Sequence, residues 1–117
     1  MLLPNGNNAI VDIRKLRDYC LNPDNPRGSH KARVFASALG ITAKDAETLR
    51  AELRRVARLL EADLAELDEY GQRYNIDFEM ETAVGRATVR TGWIILRNES
   101  APRFVTCYVR REKIDAQ

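Results

Sequence analysis

The sequence predicts an α+β domain in which helices come first and an antiparallel sheet of three to four strands follows. Apolar residues recur every three or four positions up to about residue 69, and at every second position after Gly71. The later strands follow one another as hairpins without a helix between them, which favours antiparallel pairing. The 117 residues suit a single domain, 1–117. We expect it to divide into a helical part at about 10–69 and a sheet part at about 70–111.

The first two helices are separated by a segment that must interrupt regular structure. The first helix is expected over 12–20, with an aspartate at its start. Residues 21–28 then hold two prolines, three further turn-forming residues and a glycine. Ser29 is a suitable N-cap for a second helix over 30–39, which Gly40 ends.

A third helix is predicted to begin at Thr42, where Asp45 can complete a capping box. Apolar residues at three- and four-residue spacing continue as far as Leu67, so the spacing predicts a helix over 45–67. That length is large for so small a domain, and a break near 62–64 is the alternative.

Three strands are predicted from the alternation of apolar and polar residues, over 73–81, 86–97 and 104–110. In the second of these, both faces carry apolar side chains. Thr91 and Trp93 share one face, because they are two residues apart on a strand.

Charge is unevenly distributed along a chain whose formal net charge is only +2. Residues 1–42 hold six basic and three acidic side chains, and residues 86–117 hold seven and three. Residues 43–69 hold five basic and eight acidic side chains. The two basic ends suit a phosphate-bearing ligand, while ordinary solvated surface charge is the alternative.

The cysteine content and the hydropathy favour a cytoplasmic protein without a membrane segment. Cys20 and Cys107 belong to no C-x-x-C pair, and a secreted domain of this size usually carries more cysteines. We expect both to be buried thiols. No apolar run approaches the roughly 18–20 residues needed to span a membrane, and the N-terminus lacks a signal-peptide pattern.

His30 and Lys31 are the first candidates for chemistry. His30 is the single histidine of the chain, and it falls at the expected start of a helix, where anions are favoured. An imidazole there suits a general base facing a phosphate, while a surface histidine that merely begins a helix is the alternative. One histidine and two distant cysteines give no metal-ligand spacing, so we expect neither a metal ion nor a cofactor.

Residues 21–35, L-N-P-D-N-P-R-G-S-H-K-A-R-V-F, resemble a signature of small bacterial and phage domains. That signature reads L-N-P-x-x-P-x-G-x-H-K-A. The resemblance continues through the L-G-I-T of 39–42, the Y-G-Q of 70–72 and the T-V-R-T-G-W of 88–93. It therefore covers most of the chain, about residues 3–110.

The pattern is also similar, more distantly, to the barnase–EndoU–colicin–RelE group of metal-free ribonucleases, to which many toxins of bacterial conflict systems belong. Members of that group place helices before a four-stranded antiparallel sheet. Colicin D-like members use a lysine and a histidine near a helix and a Ser-x-Trp on a strand. Lys31 and His30 match the first pair in type, in the reverse order, and 91–93 match the second with threonine in place of serine.

The resemblance implies a ribonuclease-like toxin that cuts RNA, transfer RNA being one option, by attack of a ribose 2′-hydroxyl. His30 would be the base, and Lys31 would stabilise the phosphate charge. Thr91 would donate a hydrogen bond to the phosphate, and Trp93 would stack on a base. The further residues expected to contact RNA are Arg27, Arg33, Arg90, Tyr74 and Tyr108, with either tyrosine able to protonate the leaving oxygen. The expected partners are RNA and a small acidic antitoxin or immunity protein.

A non-catalytic protein- or RNA-binding module of a bacterial or phage conflict or toxin–antitoxin system is the alternative function. His30 and Lys31 would then only begin a helix, and Trp93 would be a core residue. A structural subunit of a phage assembly, associating through an exposed strand edge, ranks third.

Overall fold

The computed structural model of the chain describes residues 1–110, in which three helices precede a four-stranded antiparallel sheet. The predicted fold class is therefore confirmed. The strands lie in chain order, β1-β2-β3-β4, so each hairpin pairs with the next. The elements are α1 (Ile13–Lys15), α2 (Ser29–Leu39), α3 (Ala46–Leu59), β1 (Asp63–Leu67), β2 (Gly71–Glu81), β3 (Arg86–Leu96) and β4 (Arg103–Arg110). No helix within residues 1–110 has the length and apolarity needed to cross a membrane.

The first helix has the predicted extent but changes from an α-helix to a wider π-helix after its first turn. The carboxylate of Asp12 caps α1 by accepting a hydrogen bond from the backbone N–H of Arg14 at 3.0 Å. After a single turn the chain continues as a π-helical segment, Leu16–Cys20, which buries Leu16 and Cys20. The predicted limit at residue 20 is confirmed.

The start of α2 is built by Asn25 rather than by the serine that the sequence favours. The Asn25 side-chain oxygen accepts hydrogen bonds from the backbone N–H groups of Arg27 and Gly28, at 2.8 and 2.9 Å. Its carbonyl oxygen accepts the N–H of Ser29 at 2.8 Å. Ser29 is already helical and caps nothing with its side chain, so its prediction as N-cap is wrong. The turn at Asn25 starts the helix instead.

The predicted third helix ends eight residues early. The capping box between Thr42 and Asp45 is confirmed, but α3 stops at Leu59 and residues 63–67 form β1. Leu64 and Leu67, which continue the helical spacing, are 64% and 69% exposed. The prediction of helix beyond residue 59 is wrong because this segment pairs with β2 instead of burying an apolar stripe.

The sheet has one face packed on the helices and one face open to solvent. The three predicted strands are confirmed, although β2 begins two residues earlier than expected. β2 and β3 pair without a break from Gly71↔Leu96 to Glu81↔Arg86. Between β3 and β4 the register shifts at Gly92/Trp93, which places one extra residue on β4. The core-facing side chains of the sheet include Tyr74, Ile76, Phe78, Val89, Thr91, Trp93, Phe104 and Cys107.

Candidate functional site

The ammonium group of Lys31, in the first turn of α2, has an unusual environment. Its Nζ donates hydrogen bonds to the hydroxyl of Tyr19 at 2.7 Å and to Oγ1 of Thr106 at 3.2 Å. It lies 4.8 Å from the centroid of the Tyr19 ring and 5.8 Å from that of Tyr108. No ion pair among residues 1–110 involves Lys31. A half-buried ammonium held by neutral groups has no negative partner there and keeps a third N–H for an anion.

Three separate parts of the chain position this lysine. The π-helical segment Leu16–Cys20 carries Tyr19, the turn at Asn25 sets the start of α2, and β4 carries Thr106. Gly28 allows the close approach of the two helical segments, because a Cβ at this residue would overlap the backbone carbonyl oxygen of Tyr19. The site therefore depends on the path of the loop as much as on its side chains.

His30 is exposed and lies beside Lys31 at the edge of the sheet. Together with Tyr108 the two residues line a shallow depression of about 220 Å³, whose other walls are Val34 and Val109. The structure thus brings His30, Lys31 and Tyr108 together, as the sequence predicts. An imidazole and a phenol, both of which can exchange protons, therefore line the same depression as Lys31.

Thr91 and Trp93 lie elsewhere, in the centre of the core. They are 0% and 1% exposed. The indole Nε1 of Trp93 donates to Oγ1 of Thr91 at 2.7 Å, and that hydroxyl donates to the carbonyl oxygen of Ile76 at 2.8 Å. Trp93 also packs edge-on against Phe104, with ring centroids 5.6 Å apart. This placement is incompatible with the expected RNA contacts of both residues, because neither presents a polar group or a ring face to solvent.

Arg90 lies on the open face of the sheet, directly opposite Tyr108 in the register of β3 and β4. Its guanidinium forms a two-pronged ion pair with Asp77, at 2.8 and 3.0 Å, and Arg110 reaches the same carboxylate at 2.9 Å. The hydrogen bond from Arg90 lowers the pKa of Asp77, an effect that burial opposes and Arg110 reinforces. Two arginines share one carboxylate, so this cluster carries a net positive charge next to Tyr108.

The remaining candidates divide between surface and core. Arg27 and Arg33 are exposed on the loop and helix that carry His30, where they can attract a polyanion. Tyr74 is only 7% exposed and packs in the core, so it is not placed to protonate a leaving group. Its expected contact with RNA does not fit this position.

Sequence reasoning missed the two residues that hold the lysine, Tyr19 and Thr106. Neither belongs to a recognisable motif, and they lie 12 and 75 positions from Lys31 in the chain. The one usable signal is that Thr106 and Tyr108 alternate on β4, which puts both on the same face.

The two cysteines lie directly beneath Thr106. Both are buried and free, which confirms the prediction of buried thiols. The Cys20 sulfur lies 3.8 Å from Oγ1 of Thr106. A hydrogen bond from Cys107 lowers the pKa of Cys20, against the opposing effect of burial, while burial raises the pKa of Cys107. Across residues 1–110, no three His, Cys, Asp or Glu side chains converge as a metal-binding group.

The chain belongs to the family described as "Domain of unknown function (DUF6883)", whose model matches residues 2–111. A search of curated proteins finds no match. Among solved structures, the fold is similar to one chain of a "Contact-dependent growth inhibition toxin - immunity protein complex from Klebsiella pneumoniae 342". The TM-score is 0.63 at 14% identity, and the alignment covers 86% of this chain and 99% of that chain. At such identity the match shows a shared fold.

Proposed function

We propose that this chain is a toxin domain of a bacterial conflict system and cleaves RNA, with His30 and Lys31 at its catalytic centre. The observation that carries the proposal is the ammonium of Lys31, which lacks an ion-pair partner within residues 1–110 and lies beside an exposed imidazole. The similar fold comes from a complex of a contact-dependent growth inhibition toxin and an immunity protein, which supports the conflict-system context.

The proposed reaction needs no metal ion, because RNA supplies its own nucleophile. His30 accepts the proton of a ribose 2′-hydroxyl as that oxygen attacks the neighbouring phosphorus. The bond from phosphorus to the 5′-oxygen then breaks, and Tyr108 gives that oxygen a proton. The products are a 2′,3′-cyclic phosphate and a free 5′-hydroxyl. General base catalysis of this kind contributes about 10²–10⁴-fold.

Lys31 has the electrostatic role in this reaction. Its third N–H can point at a non-bridging oxygen of the phosphate, where negative charge develops during attack. Tyr19 and Thr106 fix the ammonium before RNA binds, so little reorganisation is needed at the moment of reaction. Arg27 and Arg33 would add attraction for the RNA backbone that does not depend on base sequence.

A small acidic immunity protein is the partner that we infer for the same surface. The basic side chains around the start of α2 and the shared cluster of Arg90 and Arg110 on the open sheet face would attract it. By covering His30 it would block access of RNA. The site of action would be the cytoplasm, where cellular RNA is.

Non-catalytic RNA binding is the second candidate, and two observations favour it. Trp93 is a core residue, as this candidate predicts. Within residues 1–110, His30 takes part in no hydrogen bond that would orient its imidazole. Catalytic histidines are commonly held by a second group. On this view the Lys31 site binds a phosphate and no bond is broken.

The test compares wild type with His30→Ala and Lys31→Met, each induced in bacteria at matched soluble levels. Arg54→Ala is the control, since Arg54 is an exposed arginine on α3, outside the site. Purified proteins are then mixed with RNA in the presence of a chelator, and the new termini are analysed for cyclic phosphate.

We expect wild type and Arg54→Ala to arrest growth and cleave RNA, with a loss of about 10²-fold or more in the two site variants. Cleavage by folded His30→Ala at the wild-type rate would overturn the role of His30. RNA binding that depends on Lys31, without cleavage by any variant, would establish the non-catalytic candidate instead.

A further inference from the structure

A groove of about 360 Å³ lies on the open face of the sheet, next to the Lys31 site and distinct from the depression at His30. Its floor is the backbone of Gly92, which has no side chain to occupy the space. A Cβ at this residue would lie 3.6 Å from Cγ2 of Thr106 and 3.9 Å from Oδ1 of Asn75, which are ordinary contact distances. The groove is therefore open because residue 92 is glycine, and the backbone does not require glycine there.

The groove and the Lys31 site share a wall. Asn75, Gly92 and Thr106 are directly paired and form one row across β2, β3 and β4. Lys31 donates a hydrogen bond to Thr106 at the end of this row. A ligand with an anionic group at Lys31 can consequently extend along the row into the groove.

The side-chain amide of Asn75 supplies the polar chemistry of the groove. It takes part in no hydrogen bond among residues 1–110, although it lines the groove and is half-buried. An amide presents a donor and an acceptor side by side. This pattern matches the adjacent N6 donor and N7 acceptor of adenine.

The other walls suit a flat, uncharged ring. The register shift places Val105 as the extra residue on β4, and its apolar side chain borders the groove. Arg73 on the opposite side is paired with Asp68 at 2.7 Å, so its charge is already compensated. Glu66 also lines the groove and has no ion-pair partner among residues 1–110, so its carboxylate can accept the amino N–H of a base. The uncompensated positive charge is that of Lys31, outside the groove itself.

We propose that the Gly92 groove binds one unpaired base of the RNA whose phosphate lies at Lys31, with adenine preferred over the other bases. The inference rests on the proposed action on RNA and adds a base-specific subsite to it. Sequence-specific proteins commonly bind unpaired RNA in this manner, with a splayed base hydrogen-bonded along its edge. The volume of the groove falls at the small end of ordinary ligand sites, about 300–1,000 Å³.

The test measures binding of uncleavable RNA. The probes are four 2′-O-methylated hexanucleotides of uridine that differ by A, C, G or U at one internal position, so the attacking hydroxyl is blocked. Fluorescence anisotropy gives Kd for wild type, Asn75→Leu and Gly92→Val. Asn75→Leu removes the amide at similar size, and Gly92→Val fills the groove with a residue that strands favour. Thr88→Val is the matched control on the same sheet face, and circular dichroism checks that each variant is folded.

We expect wild type and Thr88→Val to bind the adenine probe about tenfold or more tightly than the uridine probe. Asn75→Leu should bind all four probes within about twofold of one another, and Gly92→Val should lose about tenfold on the adenine probe. Equal affinity of wild type for the four bases would overturn the inference. A preference that survives both substitutions would also overturn it.

The same experiments separate this inference from the proposed function. Cleavage that depends on His30, without base preference in binding, would support the nuclease proposal and refute base binding in the groove. A base preference that Asn75→Leu abolishes, without cleavage of RNA by wild type, would support base binding in the groove and refute the nuclease proposal. No binding of any probe would refute the base-specific groove, and the nuclease proposal would still be decided by the cleavage assay.

Discussion

Replacing Thr91 by valine tests whether Thr91 and Trp93 are core residues with no direct part in RNA binding. Valine keeps the volume of threonine and the β-branched shape that suits a strand, so no cavity is made. The change removes the hydroxyl that accepts the indole N–H of Trp93 at 2.7 Å and donates to the Ile76 carbonyl at 2.8 Å. Both Thr91 and Trp93 are shielded from water, so solvent cannot replace the lost partner.

The expected cost follows from the group left unpaired. A buried donor without an acceptor destabilises a protein by about 1–3 kcal/mol. We therefore expect Thr91→Val to lower the free energy of unfolding by about 2 kcal/mol. For a chain of this size that corresponds to a fall in Tm of about 8 °C. The matched control, Thr88→Val, alters a hydroxyl on the open face of the same strand and should stay within about 0.5 kcal/mol.

The assay is urea unfolding followed by the fluorescence of Trp93, the single tryptophan of the chain. The midpoint should shift while the slope with denaturant stays constant, since the surface exposed on unfolding is unchanged. RNA cleavage should persist below the new midpoint. A stability loss under about 0.5 kcal/mol would refute the buried hydrogen-bond argument. Loss of cleavage at nearly full stability would instead return Thr91 to the active site.

Three further predictions concern the surroundings of the site. The ion pairs hold the folded pKa of Asp77 below its ordinary 3.8, so their stabilisation is present above about pH 4 and is lost as pH falls through the folded value. The urea midpoints of wild type and Asp77→Asn should therefore converge as the pH is lowered below about 4; a constant difference would contradict this. Gly28→Ala should lower Tm and impair cleavage, because the added Cβ overlaps the Tyr19 carbonyl and displaces the start of α2. A Tm and a cleavage rate equal to those of wild type would contradict this. Cys20 and Cys107 should resist a thiol reagent in native buffer and react in urea, since both are fully buried; rapid native labelling would disprove that burial.

The strands of the sheet were predictable because burial of one sheet face makes apolar and polar residues alternate along each strand. In β2 the residues at even positions from Tyr74 to Phe78 are buried and the intervening ones are not, so period two is read directly from the sequence. The segment after Leu59 was not predictable in the same way. Its leucines keep a helical spacing, but the extended conformation at Leu60 and pairing with β2 decide its structure. Pairing with the next strand of a hairpin leaves no periodic signal in the segment itself.

The error over Thr91 and Trp93 has a similar origin. Alternation correctly placed them on one face of β3, but that strand carries apolar residues on both faces. Nothing in the strand alone indicates which face the helices cover. The choice is made by Phe35, Leu53 and their neighbours, which pack on the Trp93 face. A tryptophan next to a glycine therefore has the same sequence pattern whether it stacks on a ligand or fills the core.

The loop before α2 offers the strongest argument that His30 and Lys31 act on something outside the chain. Most polar and small residues of this loop have an internal reason to be there. Asn22 and Asn25 donate to the carbonyl of Asp18 at 3.3 and 3.0 Å, and Gly28 has no room for a side chain. Just after the loop, Ala32 lies on the buried face of α2. His30 and Lys31 differ from these neighbours.

The His30 side chain makes no hydrogen bond within residues 1–110 and contributes no buried surface to the core. Lys31 is ordered by two hydroxyls and two aromatic rings, yet its charge has no carboxylate partner there. Folding alone would be served as well by a neutral side chain at 31, since desolvating an unpaired ammonium is unfavourable. A phosphate that binds there removes that cost, which is why the anion site is the feature from which the function is inferred.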